Sequence, residues 1–294
     1  MGIEGQKVKF VWNTSQTRAM RLVACRRINR VASDRFRNCS RQKLSSYAGP
    51  SSTDGRNYKH GSIDVHTHCY LPRYMDMLRK RSEVPYVIPG EKPGSDERYV
   101  ILPGEDAEGT TAIGRPIGAE YFDIDQKLRF MDRHGIDISV LSLANPWLDF
   151  LPNEDAVEMS RLLNDDLQQL SEGSGGRIYG FAVIPTQDPE GACKEIERLA
   201  KSSDKIRGII LGTSGAGKGL DDAALECVFE SVAANDMPIF LHPHYGIGNE
   251  HFHNTGHSLF LALGFPFEVG QRLRELAIIY SIIYLFIYGN CLLF

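Results

Sequence analysis

His66 and His68 close the run "SIDVHTH" (62–68), two imidazoles one residue apart at the end of an extended apolar stretch. Side chains alternate along a strand, so both rings point the same way and converge on one spot. Such a pair either hydrogen-bonds at a strand terminus or supplies two nitrogen ligands to a metal ion. A metal role requires further donors, and "LHPH" (241–244) offers them: His242 and His244 again close an apolar run, far away in the chain. Three neutral imidazoles suit a borderline divalent ion such as zinc, which takes nitrogen at about 2.0–2.1 Å and keeps an open position when catalytic.

Convergence of distant strand ends calls for a repeating scaffold, and the middle of the chain has one. The runs at 62–68, 138–144, 177–185, 207–213 and 237–244 have strand length and β-branched or aromatic content. Between them lie "DIDQKLRFMDRHG", "NEDAVEMSRLLNDDLQQLSEG", "DPEGACKEIERLAKS" and "LDDAALECVFESVAAND", with apolar residues at helical spacing and mostly Asp or Asn at the start as a cap. Strand–helix–strand alternation is the signature of an α/β fold with parallel crossovers. In a (β/α)8 TIM barrel the chemistry collects beyond the C-terminal ends of the strands, where both histidine pairs stand.

In this order "DVHTHCYLP", "EGTTAIGRP", "SLANPW", "GIILGTSGAGKGLDD", "LHPHYG" and "GHSLFLALGFPFE" resemble the amidohydrolase superfamily over roughly residues 61–268. Within it they are most similar to the zinc-dependent non-oxidative decarboxylases, the branch of the aminocarboxymuconate-semialdehyde and uracil-5-carboxylate (isoorotate) enzymes. The resemblance implies that His66, His68 and His242 are zinc ligands, with Mn2+ as an alternative ion, and that Arg115 holds a substrate carboxylate. A planar guanidinium suits that role independently, since it clamps a carboxylate with two parallel hydrogen bonds. Asn145 and Trp147, just after the second strand, are candidates for a hydrogen-bonding amide and a stacking wall; core packing is the alternative for Trp147. Pro243 ends the strand before His244, which makes His244 a candidate catalytic group beside the ligands. His251, His253 and His257 read as solvated loop histidines.

The expected function is therefore zinc-dependent decarboxylation, a carboxy-lyase reaction on a small cyclic or unsaturated carboxylic acid such as uracil-5-carboxylate, with no organic cofactor. The alternatives are metal-dependent hydrolysis and a non-catalytic homologue. A third class rests on "GTSGAGKG" (212–219), which fits G-x-x-x-x-G-K after a strand, although Gly219 stands where a phosphate-binding loop has its magnesium-holding Ser or Thr. A net charge of −4 argues against nucleic acid as a partner, and six scattered cysteines without a C-x-x-C pair signal neither a disulfide framework nor a cysteine metal site. A small-molecule acid, with a homo-oligomer allowed, is the expected partner set, and the cytoplasm the expected location.

Three segments are expected: a basic disordered leader at 1–60, a partial β/α barrel at 61–270 and a hydrophobic tail at 271–294. The leader carries eight arginines and one acid between residues 18 and 43, a composition shared with mitochondrial transit peptides. The tail contains nineteen uncharged residues, 276–294, long enough for a membrane tether, and ends in "CLLF", a prenylation-like pattern. The family resembled completes its zinc site with a carboxylate from an eighth strand. Residues 61–270 hold about five β/α units against the roughly 250 residues of a full barrel. Weak zinc binding and poor turnover are expected on that count; stoichiometric zinc and brisk turnover would mean that Glu250, Glu268 or a second subunit supplies the missing ligand.

Overall fold

The computed structural model describes residues 62–90, 92, 94–101, 114–215, 218–244, 260–274 and 291–293. The basic leader, Glu250, the loop carrying His251, His253 and His257, and all of the apolar tail except 291–293 lie outside them. Every described residue belongs to the unit His60–Phe294. Along it run β1 (Ile63–Cys69), α1 (Pro72–Arg79), β2 (Tyr86–Ile88), β3 (Arg98–Val100), β4 (Arg115–Pro116), α2 (Ile124–His134), β5 (Ile138–Leu143) and α3 (Asn153–Glu172). There follow β6 (Ile178–Val183), α4 (Pro189–Ser202), β7 (Ile206–Gly212), α5 (Glu226–Ala234) and β8 (Ile239–His242). A helical segment, 260–274, opens with the π-turn Phe260–Gly264, and β9 (Cys291–Leu293) ends the described chain.

All five expected strands form, and they lie in one parallel sheet in the order β1-β5-β6-β7-β8. β9 adds in parallel beside β8. Helices connect successive strands, because parallel neighbours cannot be joined by a tight hairpin. The strands bury both faces: Ile209 and Phe240 are fully enclosed, as are Ile196 and Leu199 of α4, which covers one of them. Each such side chain contributes roughly 1.5–3 kcal/mol by leaving water.

Capping sets the helix boundaries. Asp123 accepts the Gln126 N–H to begin α2, and Gly135, at φ 66°, takes the left-handed conformation that ends it. Asp188 accepts the Gly191 N–H at the start of α4, with Pro189 in the first turn, where its missing N–H costs nothing. The cap expected of Asn153 is not made, because Asn153 is already inside α3 and Pro152 precedes it.

In a flat sheet β1 and β8 would stand four strand spacings, about 19 Å, apart. Instead the His66 and His242 rings lie 5.4 Å apart between centroids. The five strands therefore curl into an arc whose concave side brings its two outer members together, the architecture of a half-barrel of the (β/α)8 type. Between α1 and α2 the chain forms an antiparallel sheet, β2-β3-β4, and this with α1 was not expected from the sequence. The segment 265–274 is a continuous helix, so it crosses the boundary expected at residue 270.

Candidate functional site

His66 and His68 on β1 and His242 at the end of β8 each offer a ring nitrogen, and the three nitrogens lie within 4.8 Å of one another. The two outer strands of the arc thus supply the donors. The β1 register slips between Asp64 and Thr67, where three β1 residues span two of β5. This bulge is pinned from both sides: the Asp64 carboxylate accepts the His66 N–H at 3.1 Å, while Lys127 Nζ reaches Thr67 Oγ1 at 2.7 Å and Asp64 at 3.3 Å.

Hydrogen bonds assign the nitrogen that His242 and His68 present. His242 Nδ1 lies 2.7 Å from the Pro243 carbonyl, which only accepts, so Nδ1 carries the proton and Nε2 the lone pair. Ser142 donates its hydroxyl to the Thr67 carbonyl and so accepts from His68 Nδ1 at 2.9 Å, again leaving Nε2 as the donor to a metal. Tautomers fixed by an outer partner are what imidazole ligands need. Burial holds His68 far below the usual imidazole value, at about 3, and His242 at about 4; His66 is lowered by burial as well. All three are therefore neutral at pH 7, and the donor set fits a divalent ion.

The cluster forms one wall of a cavity of about 360 Å³. Arg115 and Ile117 from the segment around β4, Tyr99 and Ile101 around β3, and Asn145 after β5 line it, as do Tyr70, Tyr121 and Phe265. Arg115 and Asn145 thus line the same pocket as the histidines. Asn145 donates an amide N–H to the His244 carbonyl at 2.5 Å, which leaves its second N–H and its amide oxygen for other partners. Cation and aromatic rings meet in one chamber: the positive charge of Arg115 draws the Tyr70 hydroxyl pKa down, although burial dominates and raises it.

His244 does not take the catalytic place expected of it, and Trp147 takes the core-packing place that was the alternative to a stacking wall. Neither lines the cavity; both are buried behind the histidine layer, 3% exposed. Trp147 donates its ring N–H to the Leu143 carbonyl at 2.9 Å and packs edge-on against His242 and His244, so it supports the cluster and makes no stacking wall. The His244 ring turns to the Asp149 carboxylate, and its backbone N–H is held by Glu268 at 2.7 Å. Glu268 also accepts the Thr213 hydroxyl, so its carboxylate ties the ends of β7 and β8 and is absent from the cavity wall. Glu268, read from sequence as an acid that could complete the metal site, instead braces the strand ends, and Asp149 and Ser142 were missed from sequence; Asp149 sits in "NPWLDF", four residues beyond Asn145, in the same loop.

The glycine loop also differs from its alternative reading. Gly212 is the last residue of β7, and the first helix after it, α5, begins only at Glu226 behind a 3-10 turn at Ala223–Leu225. No helix N-terminus therefore follows Lys218 directly, as a phosphate cradle requires. Gly212 has a packing role: a Cβ there would meet Trp147 Cζ3 at 2.5 Å and His244 Nδ1 at 2.7 Å.

A family model described as amidohydrolase matches residues 63–266. A gamma-resorcylate decarboxylase of Polaromonas sp. (strain JS666) is 32% identical over 143 residues, 47% of this chain and 44% of that protein. A 2-amino-3-carboxymuconate-6-semialdehyde decarboxylase of Dictyostelium discoideum is 25% identical over 189 residues, 64% of this chain and 50% of that protein. The solved apo structure of an IDCase from Metarhizium anisopliae aligns with TM-score 0.73 and 37% identity, covering 80% of this chain and 65% of that one. A 5-carboxyvanillate decarboxylase of Novosphingobium aromaticivorans, solved with bound manganese, shares the fold at TM-score 0.58 and 20% identity, with 81% of this chain and 66% of that one covered. The chain spans about half the length of the curated relatives it matches.

Proposed function

The chain belongs to the amidohydrolase family, and from that premise we propose that it is a metal-dependent non-oxidative decarboxylase of a small planar carboxylic acid, with uracil-5-carboxylate the leading substrate and zinc the leading ion. One observation carries this reading: three neutral imidazoles converge on a cavity that Arg115 and Asn145 also line. Decarboxylases of aromatic or unsaturated acids among the relatives, and the manganese bound in one of them, support it.

His66, His68 and His242 would hold the ion, which supplies Lewis acidity toward a carboxylate and a neighbouring ring oxygen. Arg115 pairs with the substrate carboxylate, and its fixed fork orients that group against the ring plane. Asn145 offers its amide oxygen to a ring N–H, a contact that a pyrimidine makes and a benzene ring does not. Tyr70, Tyr99, Tyr121 and Phe265 give the chamber flat apolar surface that admits a planar ring and displaces water from it. His244 acts at one remove, through the strand end that carries His242.

The test is metal content of the purified protein together with CO2 release from uracil-5-carboxylate. Release that depends on added zinc or manganese and disappears in His242→Ala is the expected result. Metal-loaded protein that releases no CO2 from uracil-5-carboxylate or from 2,6-dihydroxybenzoate would overturn the proposal.

A further inference from the structure

Two cysteines meet on the outer side of the arc, away from the cavity. Cys193 lies in the second turn of α4 and Cys227 in the first turn of α5, and these helices pack against each other. The Cys227 sulfur stands 3.9 Å from the Pro189 carbonyl and 3.5 Å from that of Ala224. Pro189 is four residues before Cys193, so in a regular helix its carbonyl is the one that the Cys193 amide bonds. The Cys227 sulfur thus rests on the turn that presents Cys193. Cys227 is exposed and Cys193 half-buried, while Cys69 is enclosed.

We propose that Cys193 and Cys227 form a reversible thiol–disulfide site that joins α4 to α5, with low-molecular-weight disulfides such as oxidised glutathione as its oxidant. The exposed Cys227 thiolate attacks one sulfur of the oxidant and releases one glutathione thiolate. The Cys193 thiolate then attacks the Cys227 sulfur of the mixed disulfide and expels the second glutathione. Two protein thiols are oxidised by two electrons, the small disulfide is reduced to two thiols, and the two protons pass to them. Burial pushes the Cys193 thiol up to about 12, with the contact to Cys227 adding to the shift, so closure is the slow step and the mixed disulfide on Cys227 precedes the bridge. A bridge here ties together the crossovers on either side of β7, whose end carries Gly212 against the His244 ring.

The full chain is incubated with oxidised glutathione, quenched by acid at intervals and read by intact mass and peptide mapping. The expected product has lost the mass of two hydrogen atoms, carries a Cys193–Cys227 cross-linked peptide and returns to the thiol form with dithiothreitol. Cys193→Ser should stop at glutathione on Cys227, and Cys227→Ser should leave Cys193 unmodified. Between about pH 7 and 8 the closure rate should rise with pH, as it must when the attacking thiol is largely protonated. A lasting mixed disulfide in the unsubstituted protein, free thiols at both positions, a cross-link between other cysteines or a pH-independent closure would each overturn the proposal.

Discussion

His242 has little freedom at the site: its Nδ1–H is held by the carbonyl of the next residue, and Phe240, Trp147 and Phe265 surround its ring. An imidazole so placed stays neutral well into acid, because burial disfavours the charged form. Metal uptake should therefore persist as pH falls through about 6.5, where an ordinary imidazole takes up its proton, and decline only toward about 4. Metal occupancy measured across pH 4–7 checks this; a half-occupancy point near 6.5 would show that the rings behave as exposed histidines. Arg115 lends itself to a second substitution at this scale. Arg115→Lys keeps the charge and loses the fork, and a KM for the acid raised by about tenfold, corresponding to roughly 1.4 kcal/mol, is expected from steady-state kinetics.

At the scale of elements, the five strands and four of the helices were legible in the sequence because each repeats its apolar residues over several turns or pleats. β2, β3 and β4 were not, since each is two or three residues long and its pairing is set by partners rather than by period. The same division runs through the site. His66, His68, His242, Arg115 and Asn145 stand near strand ends or in a loop whose resemblance marks them, and the cavity gathers all five. His244 and Trp147 also stand beyond strand ends, yet they turn inward, and only contacts across elements decide which way such a side chain goes. Gly212 makes this layer possible by letting β7 approach both rings. Gly212→Ala forces the 2.5 Å and 2.7 Å contacts apart and should cost about 1–3 kcal/mol by overpacking, read as a lower urea midpoint at unchanged slope.

For the whole molecule, the cluster matters because its donors come from β1 and β8, the outer members of a five-strand arc. Acid should loosen this closure. The unfolded chain protonates its histidines near 6.5, while His68 and His242 in the fold resist until about 3 and 4. Their stabilising share is thus fully present above about 6.5 and is lost as pH falls toward those lower values. A divalent ion acts in the opposite direction, since only the folded arc brings three imidazole nitrogens to one point. Binding to the folded state alone stabilises it by about 2.7 kcal/mol at a hundredfold excess over Kd. Thermal unfolding at pH 7 should therefore shift upward on adding zinc or manganese, and the shift should vanish in both His66→Ala and His242→Ala. Each substitution removes a donor from only one end of the five-strand arc. An upward shift that survives in His242→Ala but not in His66→Ala would place the ion on β1 alone and show that it does not bridge the arc.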